Sequence, residues 1–477
     1  MNFTSFEFFI FLIIVYVLYL TVNHKLQNLL LLLASYLFYA WWDWRFLGVV
    51  LFSTIIDYFC ALKIDQHDFR KHRRKYLFLS LSVNLLLLGF FKYFHFFIDN
   101  FILLFQKMGV QLQPSTLQII LPIGISFFTF QTMSYTIDVY RKKIKPTKNF
   151  IDYALFIAFF PKLIAGPIER ANRFLPQIER QRELSVDKLK SGLLLIYWGL
   201  FKKLVIADNL GTMISYFSAR NSEELTSALV WGTLYGYAIQ LYADFSAYTD
   251  IARGTARLMG FELSHNFRNP VFSRNIQDFW QRWHISLTSW FTDYVFLPLA
   301  TIKLKYRAII PYAAIFFTFL LVGLWHGAGW NFLLWGGYNG AALAGYHFFK
   351  RKKNHQIKKK IARALPLGDL VAMAVTLNFV IIGLIFFRSA SLARAIHCFS
   401  LILSNFSFGA SEWDLLFKVA IYSAPLLIAE IFLAKNDNDI SQFFRLPKLI
   451  RFGILYFMLF LLVVYHDGAH QFIYFQF

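Results

Sequence analysis

Two of the 12 histidines are placed where an imidazole could take part in chemistry. His284 lies in QRWHISL and His326 in GLWHGAGW, so each follows a tryptophan and borders an apolar run. An imidazole titrates near neutral pH, and in a water-poor site it can take the proton of a hydroxyl group whose oxygen attacks a carbonyl carbon. The glycines at 323, 327 and 329 predict a backbone around His326 that a ligand can approach closely. Because a buried histidine is also commonly structural, the sequence alone leaves both interpretations open.

A second unusual feature is the concentration of charge between residues 240 and 290. Charged groups in or beside a bilayer are costly unless they pair with one another or line a water-filled cavity, so this stretch is a candidate functional site. The alternative is an interfacial segment whose arginines and aspartates only form salt bridges. The residues predicted to line a site here and around His326 are Asp244, Asp250, Arg282, Trp283, Trp325 and Asn331.

The last residues, HDGAHQFIYFQF, form an aromatic tail with a single hydroxyl group, that of Tyr474. Aromatic residues commonly anchor a chain end at the membrane–water interface, and that is one interpretation of the tail. In the other interpretation the tail folds back into a cavity, where the Tyr474 oxygen is the nucleophile that attacks an acyl donor. A tyrosine phenol has an ordinary pKa of about 10, so this attack needs a base such as His326.

The sequence contains few features of a metal or nucleotide site. Neither candidate histidine belongs to a His-x-x-x-His or glutamate-linked zinc motif, and Cys60 and Cys398 are isolated. The chain also contains no P-loop, no GxGxxG fingerprint after a strand and no GxSxG nucleophile elbow. We therefore predict no metal site and no tightly bound cofactor.

The composition indicates the surroundings in which these groups act. Hydrophobic residues make up 57% of the 477 residues, charged residues only 16%, and the mean hydropathy is +0.49. One core of this size cannot hide so much apolar surface from water, so a soluble protein is excluded and lipid must cover the rest. The net charge of +21 fits the basic cytoplasmic loops of a membrane protein better than nucleic-acid binding.

Apolar runs of bilayer length must therefore position the candidate residues. They predict an all-α membrane protein with roughly 11 crossings, in one membrane-embedded domain over residues 1–477. The predicted spans, some of them short or tilted, are 6–22, 26–41, 44–62, 76–98, 118–138, 191–209, 226–243, 286–302, 308–325, 331–349, 369–388, 416–434 and 449–465.

Three basic loops orient these spans. The positive-inside rule places Lys63–Lys75, Arg141–Lys148 and Lys350–Arg363 in the cytoplasm, so the last span carries the tail, 466–477, to the extracytoplasmic side. Residues 150–168 are apolar, but prolines and a glycine interrupt them and charged segments flank them. A re-entrant element fits this pattern better than a crossing, because broken backbone at membrane depth must be surrounded by protein or by a water-filled cavity.

These residues and their surroundings resemble the membrane-bound O-acyltransferase family, in its bacterial branch that includes alginate, peptidoglycan and cellulose O-acetyltransferases. The most specific feature is the combination of DFWQRWHISL (278–287) with LWHGA (324–328). Further matching segments are PIGISFFTFQTMSYTIDVYR (122–141), FPKLIAGPIER (160–170), YADFSAYTDIARGTARLMGFEL (242–263) and the tail FIYFQF (472–477).

The resemblance implies a helical core with re-entrant and interfacial helices around a central tunnel. It places the family's near-invariant histidine at His326 and a second, branch-typical histidine at His284. It also implies the bacterial cytoplasmic (inner) membrane, an acyl donor on the cytoplasmic side, a polysaccharide acceptor outside, and a separate extracytoplasmic partner of the serine-hydrolase type. In a related D-alanylating system a separate small protein supplies a tyrosine-bearing aromatic terminus, and the matching position here is Tyr474.

Three hypotheses follow. The first is transfer of an acetyl group from a cytoplasmic thioester, acetyl-CoA, to an extracytoplasmic polysaccharide, with His326 as general base and His284 assisting. The second keeps this chemistry but takes an aminoacyl group from an acyl carrier protein, which the basic loops would attract as readily as CoA. The third is a lipid or saccharide transporter that makes no covalent bond, since transporters also use charged residues within the membrane.

Overall fold

In a computed structural model, the described residues are 1–113, 117–218, 225–302, 308–351, 367–389, 391–404, 407–465 and 472–473. Within these ranges the regular elements are helices, and no strand occurs. The all-α prediction is therefore confirmed. The chain groups into two compact units. Unit 1 is Met1–Leu189, Thr255–Ser264 and Gly327–Gly329, and unit 2 is Lys190–Gly254, His265–His326 and Trp330–Phe477.

Unit 1 is built mainly from the first helices of the chain. They are α1 (Phe6–Thr21), α2 (His24–Asp43), α3 (Leu47–Gln66), α4 (Arg70–Leu88), α5 (Phe94–Lys107), α6 (Ile125–Tyr140), α7 (Phe150–Ala158), α8 (Phe160–Leu163) and α9 (Ala171–Glu179). A short 3₁₀ turn, Trp44–Phe46, joins α2 to α3, and a π-helical turn, Gly89–Tyr93, joins α4 to α5.

The segment predicted to be re-entrant is a broken helix. Helix α7 starts after Asn149, whose side chain accepts the Ile151 N–H at 3.0 Å, and the helix breaks at Phe159, ahead of Pro161. Lys162 is fully buried in α8 and donates hydrogen bonds to the side chain of Gln131 and to a backbone carbonyl. The break is as predicted, and protein surrounds it, as irregular backbone in an apolar body requires. The re-entrant path itself stays a prediction.

A buried polar cluster ties together three helices of unit 1. Asp57 on α3 is inaccessible to solvent and accepts hydrogen bonds from Ser80 at 2.5 Å and Asn84 at 2.8 Å, both on α4. The Asn84 carbonyl oxygen in turn accepts from Ser53 on α3 and Thr132 on α6. Each side chain meets the hydrogen-bonding needs of another, which is the condition for burying polar groups among apolar helices.

Unit 2 holds most of the remaining helices. They are α10 (Val186–Phe201), α11 (Asp208–Ser218), α12 (Ser227–Leu258), α13 (Ile276–Arg282), α14 (Ile285–Phe291), α15 (Leu297–Ala300), α16 (Ile310–His326), α17 (Trp330–Arg351), α18 (Leu367–Arg388), α19 (Leu392–Ile402), α20 (Ala410–Lys435) and α21 (Lys448–Val464). π-Helical segments, Lys202–Ala207 and Thr292–Phe296, connect α10 to α11 and α14 to α15, and 3₁₀ turns occupy Pro270–Phe272 and Ile440–Arg445.

Each predicted apolar span overlaps helical structure, although the span 118–138 is helical only from Ile125. Within the described part, four helical stretches are long and apolar enough to cross a membrane. They are His24–Gln66, Arg70–Lys107, Leu367–Arg388 and Ala410–Lys435. Many of their leucine, isoleucine and phenylalanine side chains are exposed, as expected for helices whose outer faces contact lipid.

Helices α16 and α17 pack with their backbones in close contact through glycines. A Cβ atom at Gly323 would lie 2.2 Å from the Phe332 carbonyl oxygen, and one at Gly336 would lie 2.3 Å from that of Phe319. The expectation that Gly323 opens the backbone to a ligand is therefore wrong, because α17 occupies that space. The glycines instead fix the end of α16, where His326 lies.

We predict that Gly336→Ala lowers the stability of the protein by about 1–3 kcal/mol, because the added methyl group must push two backbones apart. Gly345→Ala is the matched control, since it lies on the same helix and a Cβ there meets no atom within 4 Å. This control should be neutral or slightly stabilising, because alanine favours helix over glycine. Thermal unfolding of both variants in detergent measures the difference, and equal midpoints would contradict the packing argument.

Candidate functional site

His326 is the last residue of α16 and lies inside unit 2, with 4% of its surface exposed. Aromatic rings enclose its imidazole. The ring centroids of Trp325, Trp335 and Phe387 lie 4.9, 5.1 and 5.2 Å from that of His326, each near edge-to-face. The helix end and these three rings hold the imidazole in one orientation.

His284 lies in the turn before α14 and is 1% exposed. Its backbone is left-handed, with φ of 44°, a conformation that residues other than glycine adopt at a cost in free energy. Asn266 stabilises this turn, because its side-chain oxygen accepts a hydrogen bond from the Ser286 hydroxyl at 2.6 Å. The imidazole contacts the rings of Phe245, at 4.7 Å, and Trp325, at 5.8 Å. The Trp325 indole therefore touches both candidate histidines, which the structure brings to one place.

An apolar cavity of about 420 Å³ opens beside His326. Helices α12, α13, α17, α18 and α20 contribute most of its wall, which is largely aliphatic and aromatic. Such a wall excludes water and suits a small acyl group or the apolar part of a ligand. Its aromatic and polar lining residues include Tyr235, Tyr242, Trp280, Trp283, His326, Trp335, Asn339, Phe387 and Ser423.

A second, polar cavity of about 790 Å³ is also lined by Phe387, which the two cavities share. Its charged lining residues are Lys203, Asp208, Asp244, Arg388 and Arg394. Unit 2 thus has an apolar cavity and a polar one, with Phe387 as a lining residue of both.

Lys203 is the centre of the buried charge at the polar cavity. It lies on the π-helical segment after α10, is 1% exposed, and has its amine 2.7 Å from carboxylates of both Asp208 and Asp244. π-Helical turns occur preferentially at functional sites, and this one places two consecutive lysines against α12.

The other lysine, Lys202, forms a second buried polar group with side chains of α12. Its amine lies 2.7 Å from Asp250 and donates to the hydroxyl of Ser246 at 2.8 Å. Asp250 also pairs with Arg253 at 3.4 Å. Asp244 and Asp250, both predicted as site residues, therefore each pair with a buried lysine along α12, and Asp244 also lines the polar cavity.

The described part of the aromatic tail, Phe472 and Ile473, is buried in unit 2. The Ile473 N–H donates to the Asp244 carboxylate at 2.6 Å, and the Lys203 amine lies 4.5 Å from the centroid of the Phe472 ring. Ile473 itself lines the polar cavity. The tail therefore folds back into the protein at these two residues, while Tyr474, which follows directly, lies outside the described residues.

Three further predicted residues have mainly structural contacts. Arg282 is half-buried and forms a salt bridge with Asp278 at 2.7 Å, one turn earlier on α13, as the alternative interpretation of the charged stretch expects. Trp283 does line the apolar cavity, stacked on Phe279 at 5.6 Å. Asn331 donates to backbone carbonyls at the end of α18, at 3.3 and 3.2 Å, and so tethers that helix end.

Sequence reasoning missed the two buried lysines of the ion pairs and two indoles that line the apolar cavity, those of Trp280 and Trp335. Lys202 and Lys203 stand in GLFKKLVIADNL, and two adjacent lysines inside an apolar run are a signal for buried ion pairs. Trp280 carries no such signal, since its place on the cavity depends on how α13 packs. In the described part of the chain, no group of three or more His, Cys, Asp or Glu side chains is placed to hold a metal ion.

The fold and the site together define a helical membrane protein with enclosed histidines, and comparison with known proteins specifies its family. The model of the MBOAT, membrane-bound O-acyltransferase family, matches residues 37–386. A probable alginate O-acetylase of Pseudomonas putida is 36% identical over 435 residues, covering 89% of this chain and 85% of the relative. The peptidoglycan O-acetyltransferase of Helicobacter pylori is 34% identical over 465 residues, covering 88% and 85%.

A more distant match is the teichoic acid D-alanyltransferase of Bacillus subtilis, 32% identical over 275 residues, which cover 56% of this chain and 68% of the relative. The chain belongs to the membrane-bound O-acyltransferase family, and it is a membrane-bound O-acyltransferase.

The buried ion pairs generate a stability prediction. Lys203→Met should destabilise the protein by about 3–5 kcal/mol, because it leaves two buried carboxylates without their cation. Lys418→Met is the control, since Lys418 pairs with Asp414 on the exposed face of α20 and such pairs contribute about 1 kcal/mol or less. Thermal unfolding in detergent compares the two. Similar midpoints for both variants would show that the Lys203 pairs do not support the fold.

Proposed function

We propose that this protein transfers an acetyl group from a cytoplasmic thioester across the membrane, for O-acetylation of an extracytoplasmic polysaccharide. The observation that carries the proposal is the position of His326, buried in the wall of an apolar cavity in an O-acyltransferase. The relatives that cover most of the chain are named for O-acetyl transfer, which supports acetyl as the transferred group.

The chemistry follows from the surroundings of His326. The imidazole acts as general base, taking the proton of an attacking hydroxyl group as its oxygen bonds to the thioester carbonyl carbon. When the tetrahedral intermediate collapses, the carbon–sulfur bond breaks and the imidazolium returns the proton to the leaving thiolate. The apolar wall keeps water away, so the hydroxyl group and not water receives the acetyl group.

His284 serves as a positioning residue in this scheme. Its ring contacts Trp325, and Trp325 packs directly against His326. The two histidines are thus coupled through one indole, which supports orientation of the base as the role of His284.

For the membrane arrangement, we propose roughly 11 crossings of the bacterial cytoplasmic membrane around a central tunnel, with the C-terminus outside. The basic loops face the cytoplasm, where the thioester donor is acetyl-CoA. No tightly bound cofactor takes part, and His326 and His284 act without a metal. A separate extracytoplasmic acyltransferase of the serine-hydrolase type completes transfer to the polymer.

A second candidate donor is an aminoacyl carrier protein. The similarity to a teichoic acid D-alanyltransferase favours it, but that similarity covers only 56% of this chain. The basic loops attract the phosphates of CoA and an acidic carrier alike, so charge does not decide between them.

The tail supplies the relay. Phe472 and Ile473 are held at the polar cavity by Lys203 and Asp244, and Tyr474 is the next residue. We infer that the Tyr474 hydroxyl accepts the acetyl group with His326 as base, and that the acetyl-tyrosine ester passes it on outside. The burial of the two residues before Tyr474 favours this role over that of an interfacial anchor.

His326→Ala should give a folded, membrane-inserted protein whose acetyl transfer is about 10²- to 10⁴-fold slower, the usual cost of losing a general base. Membranes incubated with radiolabelled acetyl-CoA measure label on the protein and on polysaccharide. His347→Ala is the control, because His347 lies on α17 outside both cavities.

Normal labelling in His326→Ala contradicts the role of His326. Wild-type membranes that export polysaccharide but transfer no label from acetyl-CoA or from an acylated carrier favour the transporter hypothesis. Label taken only from the acylated carrier favours the aminoacyl branch.

Tyr474→Phe tests the relay, because it keeps the aromatic ring and removes one oxygen. The variant should insert normally but fail to support polymer O-acetylation in cells, as measured by ester content. Tyr465→Phe, at the end of α21, is the matched control and should leave the ester content unchanged. Wild-type ester content in Tyr474→Phe would show that this tyrosine is an anchor only.

A further inference from the structure

The indole of Trp280 is a buried hydrogen-bond donor with no acceptor among the described residues. Trp280 lies on α13 and is 6% exposed, and its Nε1–H has no hydrogen-bond partner. Buried indole N–H groups usually find a partner, so an unmet donor at this depth needs an explanation.

This donor belongs to the same cavity as His326. Trp280 and His326 both line the apolar cavity, and both pack against Trp335, at ring distances of 5.8 and 5.1 Å. The Trp280 ring is also held edge-to-face by Phe319 of α16, at 5.0 Å. The Trp280 indole is therefore held by side chains of α16, the helix that ends at His326, and of α17.

Four other polar side chains of the cavity wall, two tyrosines, a serine and an asparagine, already donate hydrogen bonds within the protein. The Tyr235 hydroxyl donates to Asn378 at 2.6 Å, and the Tyr242 hydroxyl donates to Glu430 at 2.5 Å. The Ser423 hydroxyl donates to a carbonyl of its own helix. The Asn339 amide also donates to a backbone carbonyl, at 2.9 Å, but keeps a second N–H, so it is the competing candidate.

Acyl transfer creates a need for such a donor. When a hydroxyl oxygen bonds to the thioester carbon, the carbonyl π electrons move onto the carbonyl oxygen, which becomes an oxyanion. His326 holds the proton released by the hydroxyl at that moment. In a cavity without water, an N–H group already oriented towards the oxyanion stabilises it at no cost of reorganisation.

We propose that the Trp280 Nε1–H donates a hydrogen bond to the oxyanion of the tetrahedral intermediate formed beside His326, an inference that rests on the proposed acyl transfer. As the intermediate collapses, the carbonyl double bond re-forms, the carbon–sulfur bond breaks, and the proton on His326 goes to the thiolate. Trp280 itself exchanges no proton and acts only through the hydrogen bond.

The test uses the full-length protein in membrane vesicles with acetyl-CoA, measuring the rate of CoA thiol release. Trp280→Phe keeps an aromatic ring and removes the N–H, so kcat should fall by about 10²- to 10³-fold while KM changes little. Trp290→Phe is the matched control, because Trp290 is a buried indole outside the cavity. Binding of a non-reactive thioether analogue of acetyl-CoA should be the same in wild type and Trp280→Phe.

If Trp280→Phe does not fold, a variant with benzothienylalanine at position 280 is measured in its place. This amino acid has the shape of tryptophan and differs from it only by a sulfur atom in place of the indole N–H. A kcat within a few-fold of wild type in either variant overturns the inference, as does a large loss of kcat in Asn339→Leu with none in Trp280→Phe. Wild-type protein that releases no CoA contradicts the proposed acetyl donor instead, so the two failures are distinguishable.

Discussion

Unit 2 depends on neutralising charge inside an apolar helical body. Lys203 is almost completely buried, and it is shared between the carboxylates of Asp208 and Asp244. Removing ions from water is costly, so each buried charge requires an opposite charge at contact distance. The ion pair between Lys203 and Asp244 therefore links the π-helical segment after α10 to α12. It also leaves the second oxygen of Asp244 to accept the Ile473 N–H, so the same ion pair that supports the helices also receives the tail.

The two cavities differ in polarity, and the proposed acyl transfer makes use of both. A thioester is best kept from water, and the apolar cavity beside His326 provides that exclusion. The polar cavity at Lys203 and Asp244 receives Ile473 of the tail, where the proposed relay places its first contact with the protein. Phe387 lines both cavities and packs against the His326 imidazole, so His326 lies beside a residue that the two cavities share.

Close backbone packing of α16 against α17 determines where His326 lies. Gly323 and Gly336 allow α16 and α17 to touch along their backbones, which fixes the helix end that carries the histidine. Rings of Trp325, Trp335 and Phe387 then confine the imidazole from several sides. The left-handed turn at His284 adds a second fixed point on the far side of Trp325.

Much about this protein could be predicted from its sequence. Hydrophobic run lengths determined the helical class, because a bilayer requires about 20 apolar residues per crossing, and the helix positions agree. The break at residues 150–168 followed from its prolines, and His284 and His326 were recognisable from their local motifs. Tertiary structure alone decided which of these residues meet. The contacts of His284 with Trp325 and of Lys203 with Asp244 join positions far apart in the chain. The surroundings of the Trp280 ring and the filled space at Gly323 likewise depend on how neighbouring helices pack. A one-dimensional pattern records which face of a helix is apolar, whereas the partner of a side chain depends on how neighbouring helices are placed, and that placement arises only when the whole chain packs.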